Sequence, residues 1–146
     1  MPSLVGSEMC IRDRIWTNHS LHFFSKNRSK SKQTKIYKIP AAPGNYTAVL
    51  KDSILTNGWI TSATLTTDGE NLLLLSKKAL YVIKNYFQPV ASIQILTFKK
   101  SRKEGVCINS FGEVFIAEEN KNNRDNYLYS FKLQKALRKL QLKKMN

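Results

Sequence analysis

The stretch T-S-A-T-L-T-T-D-G-E-N-L-L-L-L-S-K-K-A-L-Y-V-I at residues 61–83 decides the fold. Two apolar runs lie on either side of Asp68-Gly69, and this dipeptide between apolar runs is a strong hairpin signal because the turn needs positive φ. A third apolar run, residues 80–83, follows a short polar loop. The stretch therefore predicts a strand, a tight turn, a strand, a loop and another strand.

The third run of this stretch recurs elsewhere in the chain as a marker. An apolar residue, a tyrosine, any residue and a second apolar residue occur as I-Y-K-I at 36–39, L-Y-V-I at 80–83 and L-Y-S-F at 128–131, at offsets of 44 and 48 residues. Further apolar segments are predicted as strands at 21–25, 46–50, 61–67, 72–76, 91–98, 106–110 and 114–117. Three or four strands in such a period match the blades of a β-propeller.

The spacing of these strands predicts an all-β fold over residues 15–133, an incomplete β-propeller of about three blade-like antiparallel repeats. A β-sandwich with coincidentally spaced strands is the alternative. One blade cannot bury both faces of its sheet, and three blades cannot close a ring that normally takes four to eight. We therefore expect a truncated propeller, or one that completes itself with another copy.

Two segments near the end of the chain have their own periodicity. Residues 91–98 alternate, with Ile93, Ile95 and Phe98 predicted on one face of an outer, half-exposed strand. Leu133, Ala136, Leu137 and Leu140 share one helical face. The basic tail, residues 134–146, is therefore predicted as a short helix or frayed end on the last blade, with an outer strand or a helix lying on a membrane as alternatives.

The first fourteen residues, M-P-S-L-V-G-S-E-M-C-I-R-D-R, differ from the rest of the chain. They resemble a translated sequencing adapter, and we exclude residues 1–14 from fold reasoning as a non-native scar. A disordered N-terminal arm is the alternative. The adapter interpretation implies that earlier blades or a leader once preceded Ile15.

Several motifs resemble one group of proteins when they are taken in order. They are F-S-K-N at 24–27, T-K-I-Y-K-I-P-A-A-P-G-N-Y-T-A at 34–48, G-W-I-T-S-A-T at 58–64, K-E-G-V-C-I at 103–108 and V-F-I-A-E-E at 114–119. Over roughly residues 21–133 the chain resembles uncharacterised secreted bacterial β-propeller-like proteins. The resemblance implies a parent of about six blades, with this chain as its C-terminal part, and export to the cell envelope or beyond. It implies no particular activity.

Acidic residues near the third marker are the candidate metal ligands. If the Phe111-Gly112 turn centres its hairpin, Glu104 lies opposite Glu118, and facing carboxylates need a cation or a base between them. Glu119 and Asp125 could add oxygens of the kind that calcium takes. The alternative is neutralisation by Arg102, Lys103 or Arg124. Thr61 and Ser76 occupy the matching positions of the middle repeat, which argues against a ring of metal ligands.

The net charge of +14 is expected to lie mainly on solvated loops with a basic bias, and attraction of a polyanionic partner is the alternative. The largest basic clusters lie at residues 26–38 and 132–144, where polar rather than aromatic neighbours make nucleic acid unlikely and leave a protein or an acidic glycan. His19 and His22 are expected at a solvated strand end, and no catalytic serine motif occurs. We therefore expect a non-catalytic envelope or secreted binding module. A propeller-type metal-dependent hydrolase of phosphate or carboxyl esters is the alternative.

Overall fold

The computed structural model describes residues 10–26, 32–89, 91–120 and 125–145. Within these ranges the chain forms eleven strands and one helix. The strands are β1 (Cys10–Thr17), β2 (Ser20–Lys26), β3 (Gln33–Pro40), β4 (Val49–Leu55), β5 (Ile60–Leu65), β6 (Leu72–Ser76), β7 (Ala79–Lys84), β8 (Ser92–Thr97), β9 (Lys103–Ile108), β10 (Glu113–Glu118) and β11 (Tyr127–Lys132); the helix is α1 (Leu133–Met145).

The strands form three antiparallel sheets in which neighbours in the sequence are neighbours in space. Sheet A has the order β1-β2-β3-β4, sheet B the order β5-β6-β7-β8, and sheet C the order β9-β10-β11. The described sheets do not close into a barrel. The all-β prediction and the short C-terminal helix are thus confirmed.

The first strands of the three sheets lie side by side, with β5 in contact with both β1 and β9. Asp13 fixes the first contact, because its Oδ2 accepts hydrogen bonds from the Ser62 hydroxyl at 2.9 Å and from the Ala63 N–H at 2.6 Å. The same Ser62 hydroxyl accepts from the Val106 N–H at 3.3 Å. One short polar chain therefore joins all three sheets along their first strands.

Each first strand also carries a β-bulge at the same place in its hairpin. Arg12 of β1, Thr61 of β5 and Glu104 of β9 have no partner on the second strand, and pairing resumes at the next residue. A bulge increases the local twist of its strand. The three sheets therefore share a local irregularity as well as a strand order.

Two apolar layers hold the sheets together. The layer between sheets A and B contains Ile15, Phe24, Ile36, Ile54, Ile60, Leu72, Leu74, Tyr81 and Ile83. The layer between sheets B and C contains Leu73, Leu75, Leu80, Val82, Leu96, Val106, Val114 and Ile116, with Leu133 and Leu137 of the helix. Sheet B is buried on both faces, and this is why β6 is a continuous apolar run rather than an alternating one.

The N-terminal boundary of the fold differs from the sequence prediction. Strand β1 begins at Cys10, so residues 10–14 belong to sheet A rather than to an excluded arm. The physical reason is that β2 offers a free edge to which this segment bonds, whatever its origin. Strand β4 also lies a few residues later than the predicted segment 46–50, since Tyr46 instead packs on the turn that contains Pro43 and Gly44.

Strand β8 is the outer strand of sheet B, as predicted, but it buries a different face. Ile93 and Ile95 share a face and are 47% and 42% exposed, whereas Leu96 on the other face is buried. Ile93 borders a cavity of about 500 Å³ that separates it from β4, and Leu96 lies in the layer toward sheet C. Alternation in the sequence identified the strand, but it did not identify the covered side.

The helix follows sheet C directly and contacts β8 and β11. Leu133 and Leu137 are buried, and Ala136 and Leu140 pack against the same apolar layer. The predicted apolar face is confirmed. The helix therefore closes the outer edge of the layer between sheets B and C.

Candidate functional site

A groove of about 850 Å³ opens between sheets B and C, where the chain crosses from β8 to β9. The crossing segment, residues 98–102, is pinned to the β6–β7 turn, because the Phe98 N–H donates to the Lys78 carbonyl at 2.7 Å and the Ser101 N–H donates to the Lys77 carbonyl at 3.2 Å. Opposite this segment lie the end of β10 and residues 129–131 of β11. The groove thus lies between a pinned loop and a sheet edge.

The floor of the groove is a buried ion pair between Lys103 and Glu118, which are 5% and 9% exposed. The Lys103 Nζ lies 3.8 Å from the Glu118 Oε2. The Ser101 hydroxyl donates to the same carboxylate oxygen at 2.7 Å, and Lys103 donates to the Lys99 carbonyl at 2.9 Å and to the Ser101 hydroxyl. Charges buried this deeply need partners of this kind. The network neutralises the floor and holds the crossing segment in place.

Aromatic side chains form the walls of the groove. The Phe98 and Phe131 rings contact each other at a tilt of 56°, with their centroids 6.2 Å apart. Tyr129 of β11 also lines the groove and is 43% exposed. Partial burial, together with the neighbouring Glu118 carboxylate, raises the pKa of the Tyr129 phenol, which therefore stays protonated at neutral pH. The walls offer ring faces, and the Tyr129 phenol lies beside the Glu118 carboxylate of the floor.

Cations surround the mouth of the groove. Lys99 and Lys100 are exposed, and Arg102 lies 3.8 Å from Glu119 at the surface. An exposed ion pair of this kind is weak and open to competition from another anion. The mouth therefore carries a local excess of positive charge above a neutralised floor.

The predicted carboxylate pair is wrong in its geometry. Glu118 lies opposite Lys103 and not opposite Glu104, because the bulge at Glu104 shifts the register by one residue. Glu104 is exposed, and Glu119 pairs with Arg102. The alternative with basic neighbours is thus the one that the geometry supports at Glu118 and Glu119.

The described residues contain no group of three or more His, Cys, Asp or Glu side chains placed to hold a metal ion. Calcium binding by Glu104, Glu118 and Glu119 stays a prediction. Asp125 is exposed, and its carbonyl accepts from the Asn120 side chain at 2.7 Å. Arg124, the other proposed partner of these acids, lies outside the described residues.

One segment of the sequence could have indicated this groove, but the larger basic clusters at 26–38 and 132–144 drew attention away from it. The run F-K-K-S-R-K at residues 98–103 places a ring beside four cations within six positions. The two other walls, Tyr129 and Phe131, come from the third marker. Arg28 and Lys30 of the first predicted cluster lie outside the described residues.

His22 was expected at a solvated strand end, and this is wrong. Its side chain is buried between sheet A and the segment after β7, where Nδ1 and the Tyr86 hydroxyl share a hydrogen bond of 2.9 Å. Burial, and then the charges of Lys51 and Lys38, lower the pKa of His22 to about 4. His22 is therefore a neutral core residue at physiological pH.

Comparisons with known proteins leave the groove as the main indication of function. No family model matches the chain, and neither a curated protein nor a solved structure matches it. Among the described residues, no helix has the length and apolar character needed to span a membrane.

Proposed function

We propose that this chain is a non-catalytic binding module of the β-propeller type, and that its groove between sheets B and C binds an acidic glycan. The propeller proposal is supported by three meandering sheets whose first strands lie together and carry bulges at matching positions. Blades of a propeller are arranged in this way around an axis. The resemblance to secreted propeller-like proteins supports an extracytoplasmic parent.

The observation that carries the glycan proposal is the combination of ring faces and cations in one groove. A sugar ring presents an apolar C–H face that packs on an aromatic side chain, as Phe98, Tyr129 and Phe131 allow. Carboxylate or sulfate groups on the same sugar would pair with Lys99 and Lys100 at the mouth. The volume of about 850 Å³ lies within the usual range of ligand sites.

The floor of the groove favours binding over catalysis. Glu118 accepts from Ser101 and faces Lys103, so its charge is already neutralised. A general acid or nucleophile would need a carboxylate free to exchange a proton or attack the sugar. The groove therefore has the features of a recognition surface that holds an anionic ligand.

The proposal is tested by calorimetric titration with an oligosaccharide of uronic acids and with its neutral counterpart. Wild-type protein should bind the acidic sugar and not the neutral one. The double variant Lys99→Gln, Lys100→Gln should weaken binding by about tenfold, as expected for the loss of one or two charge-assisted contacts. Tyr129→Ala should also weaken binding, since it removes a ring face without changing the charge.

The matched control is the double variant Lys135→Gln, Arg138→Gln on the exposed side of α1, which removes the same charge from residues that do not line the groove. Its affinity should stay near that of the wild type. Equal weakening in both double variants would mean that net charge attracts the sugar without a site. Failure of the wild type to bind the acidic sugar would overturn the proposal.

A further inference from the structure

The three sheets contact one another through faces of two kinds. In each sheet, we call the face that carries the marker tyrosine the preceding face, because in sheet B this face points toward the sheet earlier in the sequence. We call the opposite face the following face. The marker tyrosine lies on the preceding face and the apolar residue before it on the following face, since neighbours along a strand point to opposite sides. The contacts A–B and B–C each join a following face to a preceding face.

The preceding face of sheet A has no sheet of the described residues against it. Tyr81, on the same face of sheet B, is 1% exposed, whereas Tyr37 in sheet A is partly exposed. Leu72 and Leu74 of sheet B are fully buried, and their counterparts Leu21 and Phe23 are only partly covered. Sheet A therefore presents a preceding face with large apolar side chains, to which Trp16 (64% exposed) and Leu50 (54% exposed) also belong.

The following face of sheet C is open in the complementary way. Ile36 and Leu80, the first residues of the earlier markers, are 0% exposed, but the matching Leu128 is 70% exposed. Cys107, which matches the buried Ile15, is exposed as well. The rest of this face carries Phe115 in the middle of β10, with the smaller Gly105 and Ala117 beside it.

We propose that two copies of this chain associate head to tail, with the following face of sheet C in each copy packed on the preceding face of sheet A in the other. The contact continues the type already made between sheets A and B and between B and C. It also covers the exposed apolar side chains of both faces, Trp16 and Leu50 on sheet A and Leu128 on sheet C. Two equal contacts of this kind close a ring of six sheets, whereas a self-pairing of either face would join faces of the same type.

The dimer proposal does not rest on glycan binding, because the groove lies between sheets B and C of a single chain. Its test is the mass of the full chain in solution, measured by sedimentation velocity and light scattering. The expected mass is twice 16.8 kDa. Trp16→Glu and Leu128→Glu should each give a monomer, because they place a charge in the contact. Both side chains are mostly exposed in the single chain, so far-ultraviolet circular dichroism should stay unchanged.

The control is Leu142→Glu, an equally exposed apolar residue on α1 outside both faces (63% exposed), which should remain dimeric. The thiol of Cys107 gives a second measurement, since alkylation followed by mass spectrometry should be slow in wild type and at least tenfold faster in Leu128→Glu.

A mixture of Trp16→Glu and Leu128→Glu tests the head-to-tail arrangement itself. One chain keeps an intact sheet C face and the other an intact sheet A face, so mixing should recover a heterodimer through one contact. No recovery on mixing would overturn the arrangement. A monomeric wild type, or an open ladder of larger oligomers, would overturn the closed dimer and leave the two faces for additional sheets of a longer chain.

Discussion

At the scale of single residues, His22 shows how burial makes a histidine sensitive to acid. The ring shares its hydrogen bond with Tyr86, whose own pKa is raised by burial, and Lys51 lies over the Tyr86 ring with its Nζ 4.3 Å from the centroid. A proton on His22 would therefore add a positive charge near Lys51 at a buried position. The neutral ring is the form that the fold accepts.

Acid should destabilise the protein through His22. The folded pKa of about 4 lies below the ordinary 6.5, so between these values the unfolded chain binds a proton that the folded chain does not. The contribution is fully present above pH 6.5 and falls as the pH drops toward 4, by at most about 3 kcal/mol. Urea unfolding of wild type and His22→Gln across this range measures it. The variant should show a shallower pH dependence, and equal slopes would contradict the assignment.

At the scale of elements, α1 stabilises the fold by covering the edge of an apolar layer rather than by its own helical propensity. Leu137 is 4% exposed in that layer. Leu137→Ala should lower the free energy of unfolding by about 2 to 4 kcal/mol, because it leaves a cavity. The control Leu142→Ala, on the exposed side, should change it by less than about 0.5 kcal/mol. Urea denaturation distinguishes the two, and equal effects would mean that the helix is not docked.

Several elements could be predicted because the number and spacing of their apolar residues indicate which of their faces are buried. The run at residues 72–76 became β6 with its predicted bounds, since a strand covered on both faces has no polar side to display. The markers fell within β3, β7 and β11, where the tyrosine alternates with residues of the opposite face. The periodic leucines of the tail became α1 for the same reason, at helical spacing.

Other elements could not be predicted because their cause lies outside their own sequence. Gly105 beside Glu104 is compatible with a bulge, but a single glycine does not fix where the register shifts. The shift moves Lys103 opposite Glu118 and removes the predicted pair of carboxylates. Ile93 and Ile95 alternate as a buried face would, but both are exposed, and a cavity separates Ile93 from β4. The groove combines residues from the segment after β8 with residues of β9, β10 and β11, and only the fold brings these together.

At the scale of the whole molecule, sheet B should be the most stable part, because it has a neighbour on each face. Every residue of β6 is buried, whereas six of the seven residues of β4 are exposed. Amide hydrogen exchange, read by mass spectrometry, should be slowest in β6 and β7 and at least tenfold faster in β4. Similar rates in β4 and β6 would mean that the sheets open together as one unit.

Because every contact between sheets joins a following face to a preceding face, this type of contact does not itself limit the number of sheets. A sheet can be gained beyond either outer sheet, or the middle one lost, while every remaining contact keeps the same form. Successive markers are 44 and 48 residues apart, so one such step corresponds to a coding segment of 44 or 48 codons. Duplication or deletion of a segment of that size would change the number of sheets in whole steps, so the size of the assembly can evolve without a new kind of contact.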